Sequence, residues 1–132
     1  MESSLKVRIR LRATVSPTED RLKVLVAMRN IIGDCAASEK EGEAEISISS
    51  QDLRCLQMVH DQLRDRNVRD AAKRLILRQR VGDRVNLLLN RQAAFAGVVS
   101  LCTTQMESPL GPITMEVECE KPDELIDWLT AH

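Results

Sequence analysis

The residues that could carry chemistry are few and widely spaced. Cys35, Cys55, Cys102 and Cys119 contain no C-x-x-C pair, so the spacing of a structural zinc site is missing. Four cysteines could make two disulfides. The start, Met1-Glu2-Ser3-Ser4, lacks the charged-then-apolar layout of a secretory signal, so reduced thiols in a cytoplasmic protein are expected. His60 falls inside a helical pattern and His132 ends the sequence; neither joins a cluster that would make it a metal ligand or a general base. Glu19 and Asp20 are adjacent acids, but their place at a helix start already explains them. Catalysis needs a nucleophile with its base, a metal, or paired acids in a pocket. None of these sets is legible, so the expectation is a non-enzymatic protein with no cofactor, metal or identifiable small-molecule substrate.

Two cationic groups remain. Lys6, Arg8, Arg10 and Arg12 recur every second residue, which puts them on one face of a strand. Arg66, Arg69, Lys73, Arg74, Arg78 and Arg80 cluster along a helical pattern interrupted by Asp70. The second group has the highest local positive density in the chain, which is where phosphate contacts would concentrate. A solvated helix face looks much the same. Phe95 and Trp128 are the sole aromatic residues among Phe, Tyr and Trp, which weakens any reading that needs a platform for stacking bases.

The net charge of −1 conceals a segregated pattern. Residues 1–33 hold seven Lys/Arg against three Asp/Glu, and residues 64–91 hold nine against three. Residues 34–63 hold two against seven, and residues 92–132 hold one against seven. Each basic block therefore has an acidic block able to neutralise it. At 132 residues the chain suits one domain, 1–132, large enough to bury a core without a metal or disulfide staple. No window approaches the eighteen or so uninterrupted apolar residues of a membrane span, so no membrane association is expected.

The elements follow from periodicity. Residues 5–15 alternate strictly, with Leu5, Val7, Ile9, Leu11, Ala13 and Val15 on one face, and predict a half-buried strand. Ser16-Pro17-Thr18-Glu19 reads as a capping box opening a helix that Gly33 ends. Leu22, Leu25, Val26 and Ile32 read as its core face. Val24, Met28 and Ile31 form a second apolar line that one sheet cannot also cover. Residues 34–42 read as a loop, and residues 43–48 as a strand. Ser49 or Ser50 caps a helix with Leu53, Leu56, Val59 and Leu63 inward. A third helix buries Val68, Ala71, Ala72, Leu75 and Ile76 and ends at Gly82. Residues 84–89 and 95–102 read as apolar strands joined by Asn90-Arg91-Gln92-Ala93-Ala94, a connection that suits either a functional loop or a structural turn. Ser108-Pro109-Leu110-Gly111-Pro112 reads as a fixed turn without the repeated glycines of a phosphate cradle. Ile113 to Cys119 alternate again with Glu116, Glu118 and Glu120 outward, and Pro122 opens a last helix. Alternating strands leave one sheet face open. The fold class predicted is α+β: a single antiparallel or mixed sheet of about five strands, with helices packed on one face.

Five segments carry a resemblance. Pro17-Thr18-Glu19-Asp20, Arg69-Asp70-Ala71-Ala72-Lys73, Leu89-Asn90-Arg91-Gln92-Ala93-Ala94-Phe95, Ser108-Pro109-Leu110-Gly111-Pro112-Ile113 and Ile126-Asp127-Trp128-Leu129 occur in the order seen in the archaeal uncharacterised protein family two-hundred-and-one. Each alone is weak; the ordered set spans nearly the whole chain. The resemblance implies a fold like that of ribosomal large-subunit protein five, a homodimer, and a nominal RNA-binding label that rests on fold similarity. It implies no catalytic residues.

Four expectations result. The leading functional reading is a non-enzymatic homodimer that resembles RNA-binding folds and is weakly equipped for RNA. The alternative is a structured-RNA-binding module using Arg66, Arg69, Lys73, Arg74, Arg78 and Arg80 of the third helix together with Arg91. The dimer contact is assigned to Val24, Met28 and Ile31, because exposed apolar lines mark interfaces. Finally, Arg8 and Arg10 should lie across from Glu116 or Glu118, turning two like-charged stripes into one ladder.

Overall fold

In a computed structural model, residues 6–65, 69–102 and 111–130 are described. Strand β1 (Val7–Thr14) leads to helix α1 (Arg21–Ile32). An edge strand β2 (Ser38–Glu41) and strand β3 (Glu45–Ser50) follow. A 3-10 turn (Leu53–Leu56) runs into α2 (Gln57–Asp65), and α3 (Arg69–Arg78) comes next. Then come β4 (Arg84–Leu89), the short α4 (Arg91–Phe95), β5 (Ile113–Cys119) and α5 (Pro122–Leu129). The five strands form one sheet in the order β2-β3-β1-β5-β4, and every neighbouring pair is antiparallel. This is the α+β architecture that the alternating strands predict.

β1 sits at the centre of the sheet, and its alternation is strict. Val7, Ile9, Leu11 and Ala13 are buried against the helices, and Arg8, Arg10, Arg12 and Thr14 take the other face. Ile46 and Ile48 of β3, Val85, Leu87 and Leu89 of β4, and Ile113, Met115 and Val117 of β5 extend the buried layer. The helices close over it with Leu56, Val59, Leu63, Ile76, Leu125, Ile126 and Leu129. Each large aliphatic side chain so placed contributes about 1.5–3 kcal/mol.

Helix α1 keeps Ile32 and Leu25 of the expected core face against the core but otherwise exchanges its two apolar lines. Val24, Met28 and Ile31, assigned above to a dimer contact, are buried in the core, while Leu22 is 68% and Val26 40% exposed. The reason is Ala27. Val24, Ala27, Met28 and Ile31 make an i, i+3, i+4, i+7 set, the full stripe of a core-facing helix, and the small Ala27 lets the helix lie close. The helix also starts later than the capping-box reading has it. Asp20 is the N-cap, its carboxylate accepting from the Leu22 N–H at 2.9 Å. Ser16 and Glu19 instead close a preceding turn, with the Ser16 N–H donating to the Glu19 carboxylate. Gly33 ends the helix at φ 69°, where a side chain would be strained.

Three further segments differ from their sequence reading. Residues 34–42 contain β2, whose Ser-Glu-Lys-Glu run has no apolar period to reveal it. Its Glu39 and Glu41 point toward the helix layer and pair with Arg29 and Arg21 of α1. Residues 95–102 are not a strand. Asn90 caps α4 by accepting from the Ala93 N–H, and Leu101 alone bridges back to Leu89. The two alanines favour helix, and Gly97 turns the chain at φ 83°. Asp52, rather than Ser49 or Ser50, caps the 3-10 turn. The expectation of reduced thiols is also corrected: Cys35 and Cys55 form a disulfide between the α1–β2 connection and that turn. Leu5, Arg66, Val68 and most of the 108–112 turn lie outside the described residues.

Candidate nucleic-acid interface

The helices cover one face of the sheet and leave the other open. Register fixes what that open face presents. Arg8 lies across from Glu118 and Arg10 from Glu116 on β5, as the ladder expectation has it. On the other side Arg10 faces Ser49 and Arg12 faces Ser47 of β3, and those serines face Ser38 and Lys40 of β2. Arg84 of β4 lies across from Glu118.

The ion pairs follow that register between Arg84 and Glu118 but run diagonally at Glu116. Glu116 pairs with Arg12, and Glu118 pairs with Arg84 at 3.5 Å. Two carboxylates thus serve the two outer arginines. Among the described residues Arg8 and Arg10 make no ion pair, and both are exposed. The expected ladder is correct in register and incomplete in charge. Around the two arginines runs a groove of about 840 Å³ lined by Arg8, Arg10, Ser38, Ser49, Ser50 and Gln51, with the paired Arg12, Arg84, Glu116 and Glu118 along it. A second hollow continues it past Lys6, Asp83 and Glu120. Guanidinium and hydroxyl groups are donors suited to phosphate oxygens.

The third helix is less available than its density implies. Lys73 pairs with Asp127 of α5 at 3.4 Å, and Arg80 pairs with Asp123 and donates to the Gly82 carbonyl. The acidic C-terminal block has docked on the basic block before it. Arg74 and Arg78 are exposed, Arg69 is half-buried, and Arg66 lies outside the described residues. Arg91 is withdrawn altogether. Its side chain is 6% exposed and pairs with Glu19 at 2.6 Å, while its guanidinium also donates to the Thr14 and Gly111 carbonyls. It is a buried tie between the β1–α1 turn, α4 and the approach to β5, so its assignment as an RNA contact is corrected. Within the Asn90-Arg91-Gln92 connection Asn90 caps α4 and Arg91 is buried, while Gln92 is exposed.

Local charge density ranks the helix above the strand stripe, but it says nothing of the carboxylates that α5 brings. The hydroxyl wall has almost no signal in the sequence. Ser38 sits on a strand without an apolar period, and Ser49 shows only a capping preference. Both aromatic residues lie away from the groove. Trp128 stacks on His60 with centroids 4.6 Å apart, and Phe95 lies under Lys23. Among the described residues no three His, Cys, Asp or Glu side chains are grouped to hold a metal, and no helix is long and apolar enough to cross a membrane.

Comparison with known proteins places this geometry. A family model described as RNA binding matches residues 8–119. A UPF0201 protein of Sulfurisphaera tokodaii is 38% identical over 93% of this chain and 86% of its own length. One from Aeropyrum pernix is 39% identical over 94% and 85%. The crystal structure of a UPF0201 protein superposes with a TM-score of 0.80 at 27% identity, covering 95% of this chain and 94% of that one. The Methanococcus jannaschii UPF0201 structure gives 0.78 at 22% identity, over 94% and 99%, a likeness of fold. The resemblance carried by the five segments is therefore correct: this chain belongs to the UPF0201 family and to the family that the RNA-binding model describes.

Proposed function

We propose that this chain is a non-enzymatic RNA-binding protein that grips the phosphate backbone of structured RNA on its open sheet face. The observation that carries the reading is the pair Arg8 and Arg10. These are two exposed arginines without ion-pair partners among the described residues, about 7 Å apart along one strand, in a groove walled by serines. That spacing is close to the separation of successive phosphates along a strand. The groove has no aromatic side chain on which a base could stack, so backbone and shape rather than sequence would be recognised. The RNA-binding label of the family model supports the same reading.

The test is a salt titration of binding to a short RNA duplex. Removing one phosphate contact lowers the slope of log affinity against log salt by about one. Arg8→Ala with Arg10→Ala should therefore weaken binding and lower the slope by about two. Arg74→Ala with Arg78→Ala on α3 should leave both nearly unchanged. The opposite ranking, or no salt slope in the parent protein, would remove the sheet face as the site.

A further inference from the structure

We propose that the Cys35–Cys55 disulfide is a redox control on the groove, an inference that rests on the sheet-face reading above. The bridge joins residues 20 apart, and the ring it closes contains all of β2 and β3. Within that ring lie Ser38, Ser49, Ser50 and Gln51, the whole hydroxyl-and-amide wall of the groove; the arginines and glutamates of the opposite wall lie outside it. The wall has two parts: Ser49 and Ser50 sit on β3, which pairs with β1 and buries Ile46 and Ile48, whereas Ser38 sits on the weakly held β2. β2 is four residues long, exposed throughout, and paired on one edge alone. Its flanks are further held by the ion pairs of Glu39 and Glu41 with α1, by Arg21 donating to the Gly42 and Glu43 carbonyls, by Ala37 against the core, and by the Ser50 hydroxyl donating to the Ala36 carbonyl at 2.9 Å. The bridge fixes Cys35, three residues before Ser38, to a turn that starts three residues after Ser50. A short edge strand tied at its entry keeps its register; released, it belongs to the low-stability end of the molecule.

The two sulfurs differ in access, which sets the order of the chemistry. Cys55 is fully buried, whereas Cys35 is half-buried and lines a surface hollow of about 300 Å³ with Asp34, Arg54, Gln57 and Asp61. The reductant is a small dithiol. One of its thiolates attacks Cys35 Sγ, forming a mixed disulfide and expelling Cys55 Sγ, which takes up a proton. The second thiolate of the dithiol then attacks its own sulfur in the mixed disulfide. Cys35 leaves and is protonated, and the reagent departs as a cyclic disulfide. Two electrons and two protons have passed to the protein. Cys102 and Cys119 are buried and lie outside the bridge.

The test measures binding of a short RNA duplex by fluorescence anisotropy to the oxidised protein, to the protein reduced with dithiothreitol, and to a Cys35→Ser/Cys55→Ser variant. Alkylation and mass measurement confirm each redox state. The reduced protein should bind about fivefold more weakly or worse, the low end of ordinary coupling between two sites. The double variant should match the reduced protein and ignore the reagent. Hydrogen exchange should rise on reduction in residues 36–50 and stay constant in β5. Equal affinity in both redox states, with Arg8→Ala/Arg10→Ala still weakening binding, would overturn the redox control alone. Absence of binding in either state would overturn the sheet-face reading and this control with it.

Discussion

The Arg91 guanidinium and the Glu19 carboxylate meet at 2.6 Å across 72 residues of sequence, with side chains 6% and 11% exposed. The contact binds the turn before α1 to the start of α4. Arg91 further donates to Thr14 at 2.8 Å and Gly111 at 3.2 Å, so one side chain joins three connections. Breaking a buried pair from one side leaves the other charge without compensation, at a cost of about 3–5 kcal/mol. Arg91→Ala should therefore lower the melting temperature by about 10 °C or more. Arg91→Lys should recover little, because an ammonium cannot reach three acceptors in the plane of a guanidinium. RNA affinity per folded molecule should not change in either variant. Thermal unfolding paired with binding at a temperature where the variant is folded separates this tie from an RNA contact.

The ion pairs of Glu116 and Glu118 make a prediction of opposite sign. Glu116 and Glu118 neutralise Arg12 and Arg84 at the border of the groove. Glu116→Gln with Glu118→Gln frees both arginines for phosphate. The loss of stability should be small, about 0.2–1 kcal/mol for each partly exposed pair, with some added repulsion along the arginine stripe. Affinity for an RNA duplex should rise and the salt slope should steepen. A double variant whose affinity falls would show that the glutamates support the site rather than restrain it.

The features legible in the sequence are those whose period survives folding. β1 and β5 alternate so strictly that their arginines and glutamates are legible as one outward face; the exact register, Arg8 with Glu118 and Arg10 with Glu116, is set by the fold. So are other long-range choices. Ser38 to Glu41 has no apolar residue, so nothing local marks β2; its pairing with β3 and the α1 arginines creates it. The two apolar lines of α1 are distinguishable only by counting Ala27 as part of a core stripe. Arg91 reads as a surface cation in an Asn-Arg-Gln turn, because its partner Glu19 is far away in sequence. Glu116 pairs with Arg12 rather than Arg10, and Glu118 with Arg84 rather than Arg8; the first choice depends on side-chain direction and the second on the place of β4 beside β5, neither of which alternation specifies.

Acid should act at the α2 end of the molecule. The His60 ring beside Asp61, with the Gln57 amide donating to the same carboxylate at 2.8 Å, holds Asp61 below its ordinary value of 3.8. A depressed carboxylate adds stability that is present above its unfolded value and disappears as pH falls through the folded one. Denaturant unfolding should therefore show stability lost below about pH 4, and Asp61→Asn should flatten part of that acid limb while changing little at pH 7. The carboxylate is 41% exposed, so the effect should be a modest part of the whole acid response. An acid limb identical in the parent and the variant would show that the hydrogen bonds to Asp61 carry no linkage.

The outer face of α1 bears on assembly. With Val24, Met28 and Ile31 in the core, α1 exposes Leu22 and Val26, one turn apart, and the neighbouring α4 exposes Phe95; Met58, Leu77 and Val81 are exposed on other elements. Apolar side chains grouped on a helical surface commonly mark a contact between copies, and a two-fold dimer is the commonest closed arrangement. We therefore propose that the protein self-associates through α1 and α4. That would leave the sheet groove, on the opposite layer, open in each copy. Sedimentation equilibrium at tens of micromolar should give twice the 14.9 kDa chain mass. Leu22→Lys with Val26→Lys should return the monomer without loss of helical circular dichroism, because neither position is buried within one chain. A parent protein that sediments at 14.9 kDa would remove the dimer. A lysine variant that stays dimeric would move the contact to another surface, with the β2 edge or the groove itself the next to be substituted.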